Sequence, residues 1–342
     1  MNGHADACID FSEVKSMKKQ SLLPGILAAV GMLVLILDSE GALSAAAEGL
    51  DLCIRTVIPS LFPFFLLSGI LVREWTGRNL SLLRPVGRLL GMPEGSEALL
   101  ITGFLGGYPV GAKAVADAWR SGNLTQKDAN RLLTFCSNAG PAFLFGIAAP
   151  MFTNPAAGWV LWGIHILSAI MTGLFFRDIP SPARAMQPAA KTSLSEALNN
   201  ALSVTAQVCG WVILFRILTN FALRWFLWLF PDWMAIAFTG FLELTNGCLS
   251  LSAVDSEQTR FLLCSAMLSW GGLCVGMQTA SVAKGLELTD YLIGKSFQTG
   301  FSLLFSGILT GLLSPIFLLV PILLLSGRKS KKRGGNPKPA IV

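Results

Sequence analysis

Apolar runs recur along the chain from residue 21 to residue 326, separated by short polar connections. Several runs reach the roughly 20 residues that a helix needs to cross a hydrocarbon core of about 30 Å. The runs expected to span or enter a membrane are 21–38, 53–72, 98–119, 132–152, 156–176, 202–230, 233–251, 261–283 and 291–325. Because prolines and glycines interrupt several of them, roughly eight to ten transmembrane or re-entrant helices are expected. The pattern predicts an all-α polytopic membrane protein.

The composition agrees with this pattern, since 53% of the 342 residues are hydrophobic and 13% are charged. The net charge of +6 comes largely from the ends, where Lys15, Lys18 and Lys19 precede the first run and residues 327–342 form a basic tail. Because basic residues favour the cytoplasmic side, both termini are expected in the cytoplasm. A basic tail can also bind nucleic acid or anionic lipid. The topological interpretation is preferred, so the lipid bilayer is an expected partner and nucleic acid is not.

Signatures of catalysis and of metal binding are missing from the sequence. The seven cysteines are scattered singly, without CxxC or CxxH spacing, so neither a disulfide framework nor a metal site is expected. Neither HExxH nor a recognisable nucleophile motif occurs. The segment IGKS at 293–296 lacks the first glycine of a P-loop, because Thr289 stands in its place. The chain is expected to be no enzyme and to bind no cofactor.

A proline-containing linker at 178–193 divides the apolar runs into two halves. The expected organisation is an N-terminal cytoplasmic segment with a first transmembrane helix (1–40), a first repeat (41–177), the linker, a second repeat (194–326) and a basic cytoplasmic tail (327–342). The repeat is visible where GGYPVGAK at 106–113 aligns with GGLCVGMQ at 271–278. Basic residues flank the first segment more densely than the second, whose connections offer Arg260 before it and Lys284 and Lys295 after it. This asymmetry predicts inverted repeats, a transporter architecture when helices are broken.

The glycine segment 106–113 is the first candidate site. Gly106, Gly107 and Pro109 interrupt a helix, so the freed backbone groups must face protein or a water-filled cavity. If the helix resumes near Val110, its first amides attract an anion, and Lys113 adds a full charge. Two alternatives stay open, namely a GxxxG packing face and a Lys113 side chain that extends to the membrane interface.

Further polar side chains lie in apolar surroundings. Ser137 and Asn138 precede Gly140, where a second break is expected and an amide side chain either binds substrate or satisfies the backbone. Glu243 and Asn246 stand three residues apart on one expected helical face and suggest ion or proton coupling. Alternatively, the segment is interfacial and Glu243 is solvated. The candidate substrate-binding residues are Gly106, Gly107, Tyr108, Pro109, Gly111, Lys113, Ser137, Asn138, Gly140, Glu243, Asn246, Gly272, Gly276 and Gln278.

Three segments resemble a known family: GFLGGYPVGAKA at 103–114, RSGNLTQKDANRLLTFCSNAGPAFLFG at 120–146 and ELTNGC at 243–248. They resemble the YlbJ-type sporulation integral membrane protein family, which carries paired nucleoside-recognition Gate domains. The resemblance covers most of the chain from residue 40 to 326 and implies a multi-pass transporter with two Gate-type repeats. The best-understood members are similar to a dipicolinate importer, which implies the outer forespore membrane. The sequence departs from the doubled pattern at 273–274 and at Gln278.

The sequence therefore predicts a secondary transporter of a small organic anion in the cell membrane. Dipicolinate is a small aromatic dianion that suits a helix N-terminus beside Lys113. A coupling ion, H⁺ or Na⁺, and a homo-oligomer are compatible with this prediction. Two alternatives are a nucleoside or nucleobase transporter and a non-transporting membrane partner that assembles a sporulation complex.

Overall fold

The computed structural model describes residues 23–75, 80, 82–181 and 193–325. All regular secondary structure in these residues is helical. Among them, four stretches are long and apolar enough to cross a membrane, namely Ser39–Leu71, Ala156–Phe175, Leu194–Trp225 and Glu257–Val282. The chain is an all-α polytopic membrane protein, as predicted.

The helices are short in the middle of each half and long at its edges. The first half contains α1 Leu23–Leu37, α2 Ser39–Leu52, α3 Ile58–Trp75, α4 Arg84–Leu89, α5 Ala98–Leu105, α6 Val110–Arg120, α7 Gln126–Leu133, α8 Pro141–Phe143 and α9 Ala156–Phe175. The second half contains α10 Leu194–Trp225, α11 Asp232–Leu242, α12 Leu244–Ser250, α13 Glu257–Trp270, α14 Gly272–Val282 and α15 Leu288–Leu309. A π-helical turn at Cys53–Val57 joins α2 to α3 without a gap. The basic tail, the N-terminal lysines and most of the linker lie outside the described residues.

The long helix α10 packs along α2 and α3 on one side of the molecule. Its small and β-branched side chains at Ala201, Val204, Val208 and Val212 recur every three or four residues and so share one helical face. This face is buried against the π-helical turn and α3. The opposite faces expose large apolar side chains, which suits helices that border lipid.

Two further apolar clusters form the centre of the molecule, and each contains side chains of both halves. One cluster includes Leu144 of the first half and Leu268 of the second. The other includes Phe135 of the first half and Tyr291 of the second. Because the halves share these cores, the break segments of one half are held directly against helices of the other.

Both glycine segments interrupt helices, as predicted. Residues 106–109 separate α5 from α6, and Gly107 has a φ of +75°. The second interruption lies between α13 and α14, where Gly271 and Gly272 have φ of +80° and +82°. Glycine adopts these angles without a steric cost, because it has no Cβ. The helix resumes at Val110, which is the predicted position.

α15 lies so close to the segment that follows α7 that one of its positions requires glycine. A Cβ added at Gly294 would lie 2.5 Å from both the Cα and the carbonyl oxygen of Thr134. A Cβ added at Gly300, further along the same helix, would have no heavy atom within 4 Å. The two positions therefore separate the effect of close packing from the effect of helix propensity.

Gly294→Ala is expected to lower the free energy of unfolding by about 1–3 kcal/mol, because the new methyl group clashes with backbone that cannot move freely. Gly300→Ala is expected to cause no loss, because alanine favours the helix and meets open space. Thermal unfolding of both variants in detergent checks this. Equal stability of the two variants would contradict the close approach of α15 to Thr134.

Candidate functional site

A cavity lies where the helix breaks of the two halves meet, with about 510 Å³ of empty space including its mouth. Break residues of the first half line one side: Gly106, Gly107, Tyr108, Ala139 and Gly140. Residues of α12, of its cap and of α14 line the other: Glu243, Leu244, Thr245, Val275 and Gln278. Apolar side chains of α3 and α10 form a further wall, including Leu61, Phe65, Val208 and Val212.

Glycines allow the interrupted segments to touch one another. A Cβ added at Gly140 would lie 2.9 Å from a Cα of the α5–α6 break, and one added at Gly271 would lie 3.3 Å from the ring of Tyr108. A Cβ added at Gly272 would lie 3.2 Å from the Cα of Glu243. Side chains at these three positions would push the segments apart. The glycines thus bring four interruptions of helix to one place.

Glu243 is buried at the N-terminus of α12, with 2% of its surface exposed. Its carboxylate accepts hydrogen bonds from the backbone amides of Thr245 at 2.9 Å and Asn246 at 2.6 Å. The alternative of a solvated Glu243 is therefore wrong. The prediction that Glu243 and Asn246 share one helical face is also wrong, because α12 begins at Leu244 and Glu243 is its N-cap residue. A carboxylate at this point satisfies amides that a helix start leaves unpaired.

Lys113 does not line the cavity, which corrects its expected position. Its Nζ lies 2.6 Å from Oδ2 of Asp117, one turn along α6, and 36% of its side chain is exposed. The reason is the rotation of α6, which turns Ala112 and Val115 inward and leaves Lys113 and Asp117 on the outer face. The first glycine segment therefore brings backbone and Tyr108 to the cavity but no cation.

The other predicted residues divide into two groups. Gly106, Gly107, Tyr108, Gly140, Glu243 and Gln278 line the cavity. Pro109, Gly111, Ser137, Asn138, Asn246, Gly272 and Gly276 are not among its lining residues. Of this second group, Ser137 and Asn138 belong to a buried polar cluster behind Tyr108.

Lys295 is the centre of that cluster, and sequence reasoning did not single it out. Its side chain is fully buried, and its Nζ donates to the side-chain oxygens of Gln298 at 2.7 Å, Tyr108 at 3.1 Å and Asn138 at 3.4 Å. It also donates to the backbone carbonyl of Ser137. Gln298 in turn donates to Asn138 Oδ1 at 2.9 Å. The cluster joins both breaks of the first half to α15 of the second.

A signal for this cluster was present in the sequence. Polar side chains recur on α15 at spacings of three or four residues, and all of them are buried: Tyr291, Lys295, Gln298, Ser302 and Ser306. Such a stripe marks a polar helix face that meets protein. Sequence reasoning instead counted Lys295 among the residues of a connection. Because Lys295 lies inside α15, it does not count among the basic residues of the connections, whose asymmetry predicted inverted repeats.

Metal ligands do not cluster in the described part of the chain. No group of three or more histidine, cysteine, aspartate or glutamate side chains there is placed to hold a metal ion. The polar groups that line the cavity include the carboxyl group of Glu243 and the side-chain amide of Gln278.

Comparison with known proteins identifies one curated relative. The chain is 26% identical to the sporulation integral membrane protein YlbJ of Bacillus subtilis (strain 168), with 78% of this chain and 77% of that protein covered. No family model and no solved structure matches the chain. This similarity confirms the resemblance to the YlbJ-type family that the sequence motifs indicated.

Gln298→Leu is expected to lower the free energy of unfolding by about 1–3 kcal/mol, because it removes the closest side-chain acceptor of a buried ammonium. The matched control is Gln126→Leu, since Gln126 is exposed and donates to one carbonyl in a loop. Its expected effect lies within about 0.5 kcal/mol. Thermal unfolding in detergent compares the two, and a control as damaging as Gln298→Leu would contradict the importance of the cluster.

Proposed function

Since the chain resembles YlbJ over most of its length, we propose that it is a secondary transporter of a small organic anion that acts in sporulation. Dipicolinate is the first candidate substrate, and the outer forespore membrane is the candidate location. The observation that carries the proposal is the cavity lined by interrupted segments of both halves. In transporters, such discontinuous helices supply substrate sites at the interface of two repeats.

The cavity suits a flat ring with polar ends. The side chains of Phe65, Val208 and Val212 offer an apolar wall, while Gln278 offers a polar group on another side and Tyr108 offers the face of its ring. The helices α6 and α14 both begin next to the cavity, and each is eleven residues long. The N-terminus of α14 favours a carboxylate, whereas the first two amides of α6, those of Val110 and Gly111, donate to the carbonyl of Gly107. The proposal also includes the predicted repeats, in which the two halves of the chain are Gate-type repeats in inverted orientation.

Glu243 gives the proposal a coupling step. It carries the one carboxylate among the described residues that line the cavity, so it repels an anion unless its charge is neutralised. A coupling cation, H⁺ or Na⁺, would supply that neutralisation. The anion and the cation would then bind together and cross together.

A nucleoside or nucleobase is the second candidate substrate, and one observation favours it. No basic side chain is among the lining residues, and Lys113 lies outside the cavity. An uncharged aromatic solute therefore suits the same walls. Competition by uridine or adenine against labelled dipicolinate separates the two candidates. Uptake of labelled dipicolinate should be unaffected if dipicolinate is the substrate, and should be suppressed if the cavity binds nucleosides or nucleobases.

Uptake of radiolabelled dipicolinate into proteoliposomes tests the function. The full chain is expected to take up dipicolinate, and Gln278→Leu is expected to lower the rate about tenfold, the effect of one hydrogen bond to a charged group. Lys113→Ala is the control and should retain uptake, since Lys113 pairs with Asp117 on the outer face. No uptake by the wild-type protein would contradict the transporter proposal. Loss in Lys113→Ala alone would contradict the cavity as the binding site.

Glu243→Gln tests the coupling step separately from substrate binding. The amide keeps the size of the side chain but cannot gain or lose a charge. Exchange of labelled for unlabelled dipicolinate across the membrane should continue, while accumulation driven by a pH or Na⁺ gradient should be lost. Gradient-driven accumulation at the wild-type level would contradict a coupling role for Glu243.

A further inference from the structure

Lys295 is surrounded by more oxygen acceptors than its ammonium group has hydrogens. Four oxygens are within hydrogen-bonding distance of Nζ, from Tyr108, Ser137, Asn138 and Gln298. An ammonium has three N–H donors. The rings of Tyr108 and Tyr291 add their faces, with centroids 5.0 and 5.8 Å from Nζ. This is a cage of oxygens and aromatic rings around a cation.

The cage contains no compensating negative charge. Lys295 forms no ion pair with any carboxylate of the described residues. Its ligands are a backbone carbonyl, two side-chain amides and a phenol, all neutral acceptors. Neutral oxygens of this kind suit a monovalent cation, whereas divalent cations are usually held with carboxylates.

Two of the four oxygens belong to the segment between α7 and α8, and a third belongs to Tyr108 in the α5–α6 break. A break in a membrane helix frees carbonyl groups, and cations are the groups that unwound carbonyls attract in transporters. The Ser137 carbonyl is such a group, since it lies between the end of α7 and the start of α8. Lys295 therefore sits where a dissolved cation would otherwise be drawn.

We propose that the tethered ammonium of Lys295 fills a monovalent-cation site formed by Tyr108, Ser137, Asn138 and Gln298. The protein carries its own cation at this position, so the oxygens of the first-half breaks are closed to Na⁺. Under the proposed transport function, a coupling cation is then left to act at Glu243. The cation site itself does not depend on any transport activity.

The test removes the tethered cation and supplies a free one. Full-length Lys295→Ala is purified in detergent, and its unfolding temperature is measured in ammonium, potassium or sodium chloride and in N-methylglucamine chloride at equal ionic strength. A free cation that enters the vacated site stabilises the folded protein in a saturable way. Ammonium is expected to raise the Tm of this variant by about 5 °C over N-methylglucamine, a large organic cation that does not fit.

The wild-type protein and Lys113→Ala are the controls. Both retain Lys295, so neither should distinguish ammonium from N-methylglucamine. A Lys295→Ala variant with the same Tm in every salt would overturn the proposal. So would an equal ammonium response in Lys113→Ala.

A second measurement does not require Lys295→Ala to fold. Lys295→Met keeps the length of the side chain but removes the cation, and Gln298→Leu removes one acceptor. If the acceptors need a cation, Gln298→Leu lowers the Tm of the wild-type protein but leaves the Tm of Lys295→Met unchanged or higher. An equal loss of Tm in both backgrounds would overturn the proposal, because the acceptor would then act independently of the lysine.

Discussion

A break in a membrane-embedded helix leaves peptide groups that lipid cannot satisfy, and the arrangement of this protein follows from how those groups find partners. Four interruptions of helix meet at one place, and glycines allow their backbones to approach closely. At two of these interruptions the freed atoms have a partner of opposite character: the Glu243 carboxylate accepts from the amides at the start of α12, and the Lys295 ammonium donates to the carbonyl of Ser137. Buried carboxyl and amino side chains thus stabilise two of the breaks, with Glu243 and Tyr108 both lining the cavity and Lys295 in contact with Tyr108.

This arrangement links the fold to the proposed transport cycle. The cavity and the Lys295 cluster share Tyr108, whose hydroxyl also donates to the carbonyl of Leu268 at 3.2 Å. Tyr108 therefore connects the cavity wall to the cation cage and, through Leu268, to the second half. The apolar side of the cavity comes from α3 and α10, which lie at the edge of the molecule. Under the proposed transport function, we expect the cavity to open by movement of these helices against the central breaks.

The sequence predicted the breaks because glycine and proline act locally. Their effect on φ and on backbone hydrogen bonds does not depend on distant contacts, and the resumption of helix at Val110 followed directly. The roles of Lys113 and Lys295 depend on the rotation of α6 and α15 about their axes, which packing between the halves decides. Lys113 was singled out because it lies in a glycine motif. Lys295 could have been singled out only from the three- and four-residue spacing of the polar side chains on α15. Glu243 was singled out by its apolar surroundings, but its capping role required the exact start of α12.

An electron cryo-microscopy structure of the full chain with dipicolinate tests the central claim, that the cavity between the breaks is the substrate site. The ligand is expected between Gly107 and Gln278, with its ring against Val208 or Val212. One carboxylate of the ligand is expected next to the side chain of Glu243. Ligand density beside Lys113 on the outer face of α6, with the cavity empty, would contradict the claim.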